Sequence, residues 1–140
     1  MAAPFELLSL LRKETFKQWK NISKINVIYD TSAKSYCLEF TKGCKIETIS
    51  NHSCNIVDSH LVVQMFVESM NNFSIELGIF DSSQTKKRII FSSSCKELIL
   101  NQMHVRVPFS TLPLNKWINV EFDLDSICGY FSGKNCFRSL

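Results

Sequence analysis

The chain has 140 residues, of which 45% are hydrophobic and 21% charged, a composition that fits one folded domain and argues against wholesale disorder. Its net charge of +3 is too small to imply nucleic-acid binding on its own. No apolar run approaches the roughly 20 residues of a membrane span. Neither nucleic acid nor a membrane is therefore an expected partner.

Residues 4–19 form a first organised segment, for which a short helix and a strand followed by a turn both fit. Apolar residues are dense over residues 5–11, and Phe16 and Trp19 follow at a helix-like spacing. The charged residues 12–14 are expected to end the first element of this segment.

From residue 25 onward, apolar and polar residues alternate as in half-buried strands. Strands are predicted at residues 25–29, 36–40, 46–49, 61–67, 73–79, 86–91, 103–107 and 117–124. The run at residues 61–67 is broken only by Gln64 and indicates a central strand, whereas residues 92–100 are ambiguous. We therefore expect a mostly β fold in one domain, residues 1–140: a jelly-roll-like antiparallel β-sandwich with a short N-terminal helical or irregular segment.

Six cysteines and three N-x-S sequons would fit a secreted protein with disulfides. The N-terminus does not match a signal peptide, because Glu6 interrupts a short apolar run. The cysteines are therefore expected to be reduced and mostly buried thiols.

Three stretches carry a family resemblance. Residues 72–91 (NFSIELGIFDSSQTKKRIIF) and residues 114–124 (LNKWINVEFDL) resemble two strand-containing blocks of the cilia- and flagella-associated protein 20 domain. Residues 4–21 (PFELLSLLRKETFKQWKN) resemble the start of the variant of this domain that begins a WD-repeat centriolar scaffold protein. The blocks occur in the family's order and cover nearly the whole chain.

This resemblance implies a jelly-roll-like sandwich, similar in shape to carbohydrate-binding modules, with a structural role and neither catalytic activity nor a cofactor. The implied partners are tubulin, microtubules, or axonemal and centriolar scaffold proteins. The implied location is the cytoskeleton of the cilium, its axoneme, the basal body or the centriole. Family domains usually continue past the point that matches residues 136–140. The chain is thus expected to be a fragment or short isoform that lacks a final strand, or a shortened domain.

A basic cluster on one predicted strand is the leading candidate for partner binding: Lys86, Lys87 and Arg88. A basic surface would attract and orient the acidic microtubule surface. Arg106 and Lys116 extend the cluster if their strands are neighbours. The alternative is a solvated edge strand whose charges prevent aggregation. Lys17 and Lys20, beside Trp19, form a weaker second candidate.

No residue pattern indicates catalysis or a metal. Glu121, Asp123 and Asp125 alternate on the predicted last strand and are expected to form an exposed acidic patch rather than a catalytic pair. The spacing of four possible zinc ligands matches no familiar zinc pattern; they are Cys44, His52, Cys54 and His60.

Two other functions stay open from the sequence. One is a general protein-interaction sandwich without tubulin affinity. The other is a carbohydrate-binding module, in which Trp117 would stack on a sugar, although a core or rim position is the expected one for a tryptophan that begins a strong strand. The direction in which residues 86–88 and the tryptophans point distinguishes these functions.

Overall fold

The computed structural model describes residues 8, 13–48, 59–69, 73–81, 83–101, 103–109, 112–132 and 137–139. The chain folds as two compact units, Met1–His52 and Ser53–Leu140. Strands dominate both units, and no helix in the described ranges is long and apolar enough to span a membrane.

The described part of the first unit contains two short strand pairs and two 3₁₀ helices. The helices are Lys13–Gln18 and Ile22–Lys24, and the strands are β1 (Trp19–Lys20), β2 (Asn26–Asp30), β3 (Ser35–Glu39) and β4 (Glu47–Thr48). Strand β1 pairs with β4, and β2 forms an antiparallel hairpin with β3. In the described part of the N-terminal segment the 3₁₀ helix Lys13–Gln18 agrees with the expected helical or irregular structure. The first element, expected to end at residues 12–14, lies almost entirely outside the described residues, and the 3₁₀ helix begins at Lys13.

The turn between β2 and β3 is held by a side chain, as its composition predicts. Asp30 Oδ1 accepts hydrogen bonds from the Ser32 hydroxyl and the Ala33 amide, each at 2.7 Å. An aspartate that bonds to the backbone of following residues in this way stabilises a turn. The hairpin register then brings Tyr29 opposite Tyr36.

Among its described residues, the second unit contains seven strands and one helix. These are β5 (His60–Phe66), β6 (Ser74–Asp81), β7 (Lys86–Ser92), β8 (Ile99–Leu100), β9 (His104–Pro108), β10 (Trp117–Asp123), α1 (Leu124–Ser132) and β11 (Phe137–Ser139). Five strands form one sheet in the order β11-β6-β7-β9-β8, and β10 pairs with β5. All pairs are antiparallel except β7 with β9, which is parallel.

Phenylalanine rings join the inner surfaces of the two sheets. Phe91 of β7 lies 4.1 Å from Phe122 of β10, measured between ring centroids, and both residues are buried. Phe109 stacks on Phe91 at 5.5 Å and on Phe73 at 5.6 Å. Burying each such ring stabilises the fold by about 1.5–3 kcal/mol. This core between two sheets confirms the predicted β-sandwich.

Strand β5 differs from the central strand expected from its apolar sequence. Leu61, Val63 and Met65 are half-buried, whereas Val62 is 58% exposed. Among the described strands β5 pairs only with β10. Every second residue of β5 therefore packs on the core, and the residues between them are exposed to solvent.

Helix α1 begins where the last predicted strand was expected to continue. Asp123 ends β10, and its carboxylate accepts bonds from the Ser126 amide at 3.2 Å and the Ser126 hydroxyl at 2.9 Å. An aspartate in this position caps a helix N-terminus. These bonds lower the pKa of Asp123. The expectation that Asp125 lies on the strand is therefore wrong, because Asp125 belongs to the first helical turn.

The cysteines follow the prediction in part. Cys37, Cys44 and Cys95 are free thiols, but only Cys95 is buried. Cys128 is fully buried in α1 and is disulfide-bonded, so the expectation of a reduced thiol is wrong there. That expectation was based on the N-terminal sequence, which carries no information on which side chains the fold brings together.

Candidate functional site: the outer face of the five-stranded sheet

Alternation along β7 separates the three clustered basic residues. Ile89 and Phe91 are buried and face the core. Because successive side chains of a strand point to opposite faces, Lys87 shares their side of the sheet, and Lys86 and Arg88 point outward. The cluster that looks continuous in the sequence is thus divided between the two faces.

Lys87 is part of a buried ion pair. Its Nζ lies 3.3 Å from Oδ2 of Asp81, and the two side chains are only 11% and 7% exposed. Asp81 also accepts the amides of Ser83 and Thr85, each at 2.9 Å, inside the hairpin loop between β6 and β7. The Thr85 amide is the main cause that lowers the pKa of Asp81, with Lys87 and Ser83 adding to it. The expectation that Lys87 belongs to an exposed basic patch is therefore not met.

Arg88 is exposed and has an acidic neighbour. Its Nε donates to Glu76 Oε1 of β6 at 2.7 Å, and both side chains are about half exposed. This hydrogen bond and the charge of Glu76 raise the pKa of Arg88, which keeps the guanidinium charged. Because the pair is open to water, its net contribution to stability is small.

Lys86 lies across the neighbouring strand β6. Its Cε is 3.3 Å from the position that a Cβ would take on Gly78, so a residue without a side chain leaves room for the lysine stem. The register pairs Lys86 with Phe80 and Arg88 with Gly78. The apolar stem of Lys86 thus covers the sheet while its charge stays exposed.

Strand β9 contributes the rest of the outer face. The parallel register pairs Arg88 with His104 and Ile90 with Arg106. Arg106 is exposed and His104 is half-buried. Strands β7 and β9 are therefore neighbours, which is the condition under which Arg106 extends the basic cluster.

Lys116 is not brought to this face. It precedes β10, which pairs with β5 in the other sheet of the sandwich. Its side chain is exposed, so it stays a surface lysine of a different region. The structure thus places Lys86, Arg88 and Arg106 together and separates Lys87 and Lys116 from them.

We define the basic face as Lys86, Arg88, His104 and Arg106. Among the described side chains of strands β6 to β9, Glu76 is the one carboxylate that points to this side. The sequence interpretation missed His104 and Glu76. Alternation over residues 103–107 places His104 on the same side as Arg106, whereas the link between Glu76 and Arg88 depends on the hairpin register.

The other candidate sites have ordinary structural surroundings. Trp117 is half-buried and packs edge-to-face on Phe66 at 5.8 Å, as expected for a rim residue. Lys17 and Lys20 are exposed on either side of the half-buried Trp19. Within the described ranges, no three His, Cys, Asp or Glu residues lie close enough to hold a metal ion. His52 and Cys54 lie outside those ranges.

The predicted acidic patch is reduced to two strand residues that face water. Glu121 and Asp123 are exposed on β10, and Glu121 Oε1 lies 3.7 Å from His60 Nε2. Asp123 is engaged in capping α1. This arrangement supports a surface role for Glu121 and a structural one for Asp123.

Comparison with protein families agrees with the resemblance seen in the sequence. The model of the CFA20 domain matches residues 3–139, which is nearly all of the chain. The match includes the hairpin that presents Lys86 and Arg88 as well as β10 with its leading Trp117. The chain therefore belongs to the CFA20 domain family.

Proposed function

We propose that this chain is a non-enzymatic structural module that docks on ciliary or centriolar microtubules through its basic face. CFA20 domains are structural domains without catalytic activity, and the family name indicates association with cilia and flagella. The choice of microtubules as the partner, and of the axoneme, basal body or centriole as the location, is our proposal.

One observation carries the proposal: neighbouring strands place Lys86, Arg88 and Arg106 on one side of a sheet. Three cations on a rigid β surface create a local positive potential although the net charge of the chain is small. Such a surface attracts an acidic polymer and orients the domain on it. A rigid sheet is suited to this role because its side chains hold their spacing without a partner.

The alternatives have less support from the side-chain geometry. A sugar-stacking platform requires an exposed ring on an open face, whereas Trp117 is half-buried and its ring lies at 61° to Phe66. A general interaction module would use the sandwich without tubulin affinity, and the test below separates it from our proposal.

The test is co-sedimentation of the purified chain with assembled microtubules over a series of salt concentrations. We expect binding at low salt that weakens steeply as salt rises, because salt screens contacts between exposed charges. Absence of binding at low salt, by a chain shown to be folded by circular dichroism, would exclude direct microtubule contact. A general interaction module would then be the better description.

A further inference from the structure

The edge of the five-stranded sheet at β8 adjoins the basic face at Arg106 and has features of a second docking site. Strand β8 is the last in the order of that sheet among the described strands. Four large apolar side chains on and beside it are between 41% and 53% exposed. They are Leu98, Ile99, Leu100 and Met103. An apolar strand at an open edge is a template for pairing with another chain.

The register shows which backbone groups are open. Asn101 N donates to His104 O at 2.9 Å, and Leu100 is opposite Val105 in the next position of the antiparallel ladder. Hydrogen-bonded and non-hydrogen-bonded pairs alternate in such a ladder, so Leu100 with Val105 is a non-hydrogen-bonded pair. The N–H and C=O of Leu100 consequently point away from β9, toward the open edge. A further strand would find one donor and one acceptor there.

The two sides of this edge differ in chemistry. Ile99 shares the outer side with Arg106, its partner in the register, whereas Leu100 points to the opposite side with its own partner Val105. Arg106 makes no ion pair with any side chain in the described part of the chain. The exposed Lys96 and Glu97 precede β8 and offset each other's charge. A strand added beside β8 would therefore meet a cation on one side and the exposed Leu100 on the other.

We propose that β8 accepts an extended strand of a partner protein in which acidic and apolar residues alternate. Adjacent strands lie about 4.8 Å apart, and β8 separates the added strand from β9, which carries Arg106. A glutamate side chain on the added strand can therefore reach across Ile99 of β8 and contact the Arg106 side chain. Apolar residues of the added strand cover Leu100. Pairing of main-chain groups provides the attachment, and the alternating side chains provide the specificity. A second copy of this chain fits less well, because it repeats the same positive charge.

The test uses nuclear magnetic resonance of the full ¹⁵N-labelled chain and a capped peptide of alternating residues, Ser-Glu-Val-Glu-Val-Glu-Ser. At a peptide concentration about ten times its Kd, we expect hydrogen exchange of the Leu100 amide to slow about tenfold, since the amide exchanges from the free form. A control peptide with lysines in place of the glutamates is expected to bind about two- to fivefold more weakly.

The variant Arg106→Glu tests the charge argument. We expect it to bind the lysine peptide more tightly than the glutamate peptide, with the remaining amide signals unchanged as a check of folding. Three results would overturn the proposal: no slowing at Leu100, equal binding of both peptides, or slowing that rises with protein concentration in the absence of peptide. The last result would identify a second copy as the occupant. Microtubule binding enters none of these measurements, so the proposal stands or falls separately from that function.

Discussion

Lys87 Nζ and Asp81 Oδ2 lie 3.3 Å apart on the core side of the β6–β7 hairpin, with both side chains almost fully buried. The pair closes the hairpin at the end where the loop begins, and the loop amides of Ser83 and Thr85 bind the same carboxylate. The middle residue of the basic cluster is thereby used for stability, and its two neighbours point to the outer side of the sheet.

Replacing Lys87 by methionine is expected to destabilise the fold by about 3 kcal/mol, because removal of one partner leaves a buried charge without its counter-ion. Lys86→Met is the matched control and is expected to change stability by less than about 0.5 kcal/mol, since Lys86 is exposed. Urea unfolding followed by circular dichroism measures both values. Equal effects of the two substitutions would contradict the assignment of Lys87 to the core side.

The lowered pKa of Asp81 predicts that the stability of the fold depends on pH. The ordinary pKa of Asp81 is 3.8, and the fold lowers it. The unfolded chain therefore binds the proton of Asp81 more readily than the folded chain does. The contribution of Asp81 to the free energy of unfolding is complete above its unfolded pKa and is lost as pH falls through its folded pKa. We expect the stability difference between the wild type and Asp81→Asn to be largest near pH 6 and to shrink toward about pH 3. A difference that does not change over this range would contradict the lowered pKa.

The two free thiols of the first unit are expected to react differently. A hydrogen bond with Thr41 lowers the pKa of Cys44, whereas burial and then the charges of Asp30 and Glu39 raise the pKa of Cys37. Since the thiolate is the reactive form, iodoacetamide near pH 7 should alkylate Cys44 first, as measured by peptide mass spectrometry. The variant Thr41→Val should slow alkylation of Cys44 and leave Cys37 unchanged. Faster alkylation of Cys37 would show that the predicted order is wrong.

Removing the negative charge of Glu76 is expected to tighten microtubule binding. Glu76 pairs with Arg88 and cancels part of the charge of the basic face. Glu76→Gln should strengthen microtubule binding by about two- to fivefold, because one exposed charge contributes up to about 1 kcal/mol. Co-sedimentation at low salt measures the change. Glu47→Gln is the control, since Glu47 pairs with Lys45 on the surface of the first unit. An unchanged or weaker affinity of Glu76→Gln would argue against the basic face.

The sequence predicts those strands in which apolar and polar residues alternate within the strand itself. Alternation identified β6, β7 and β10, because each covers the core with every second residue. Helix α1 was missed because Leu124 continues the alternation of β10. The local signal for its start is Asp123 followed three residues later by Ser126.

The candidate site could be predicted only in part, because its geometry depends on distant pairing. The parallel register of β7 and β9 brings Arg106 beside the cluster, and nothing within either strand specifies that pairing. The separation of Lys87 from Lys86 and Arg88 follows from strand alternation and could have been predicted. Its burial depends on Asp81, across the hairpin loop, which supplies the counter-ion.

The most direct test of the proposed function compares two variants with the same change in net charge. Lys86→Glu with Arg106→Glu reverses two charges of the basic face and keeps the bond between Arg88 and Glu76. Lys42→Glu with Lys116→Glu reverses two exposed lysines elsewhere. In co-sedimentation with microtubules at low salt, we expect the first variant to bind at least about tenfold more weakly than wild type and the second to stay within about threefold. Equal losses in both variants would show that net charge, and not the basic face, governs binding, and would contradict the proposed function of this surface.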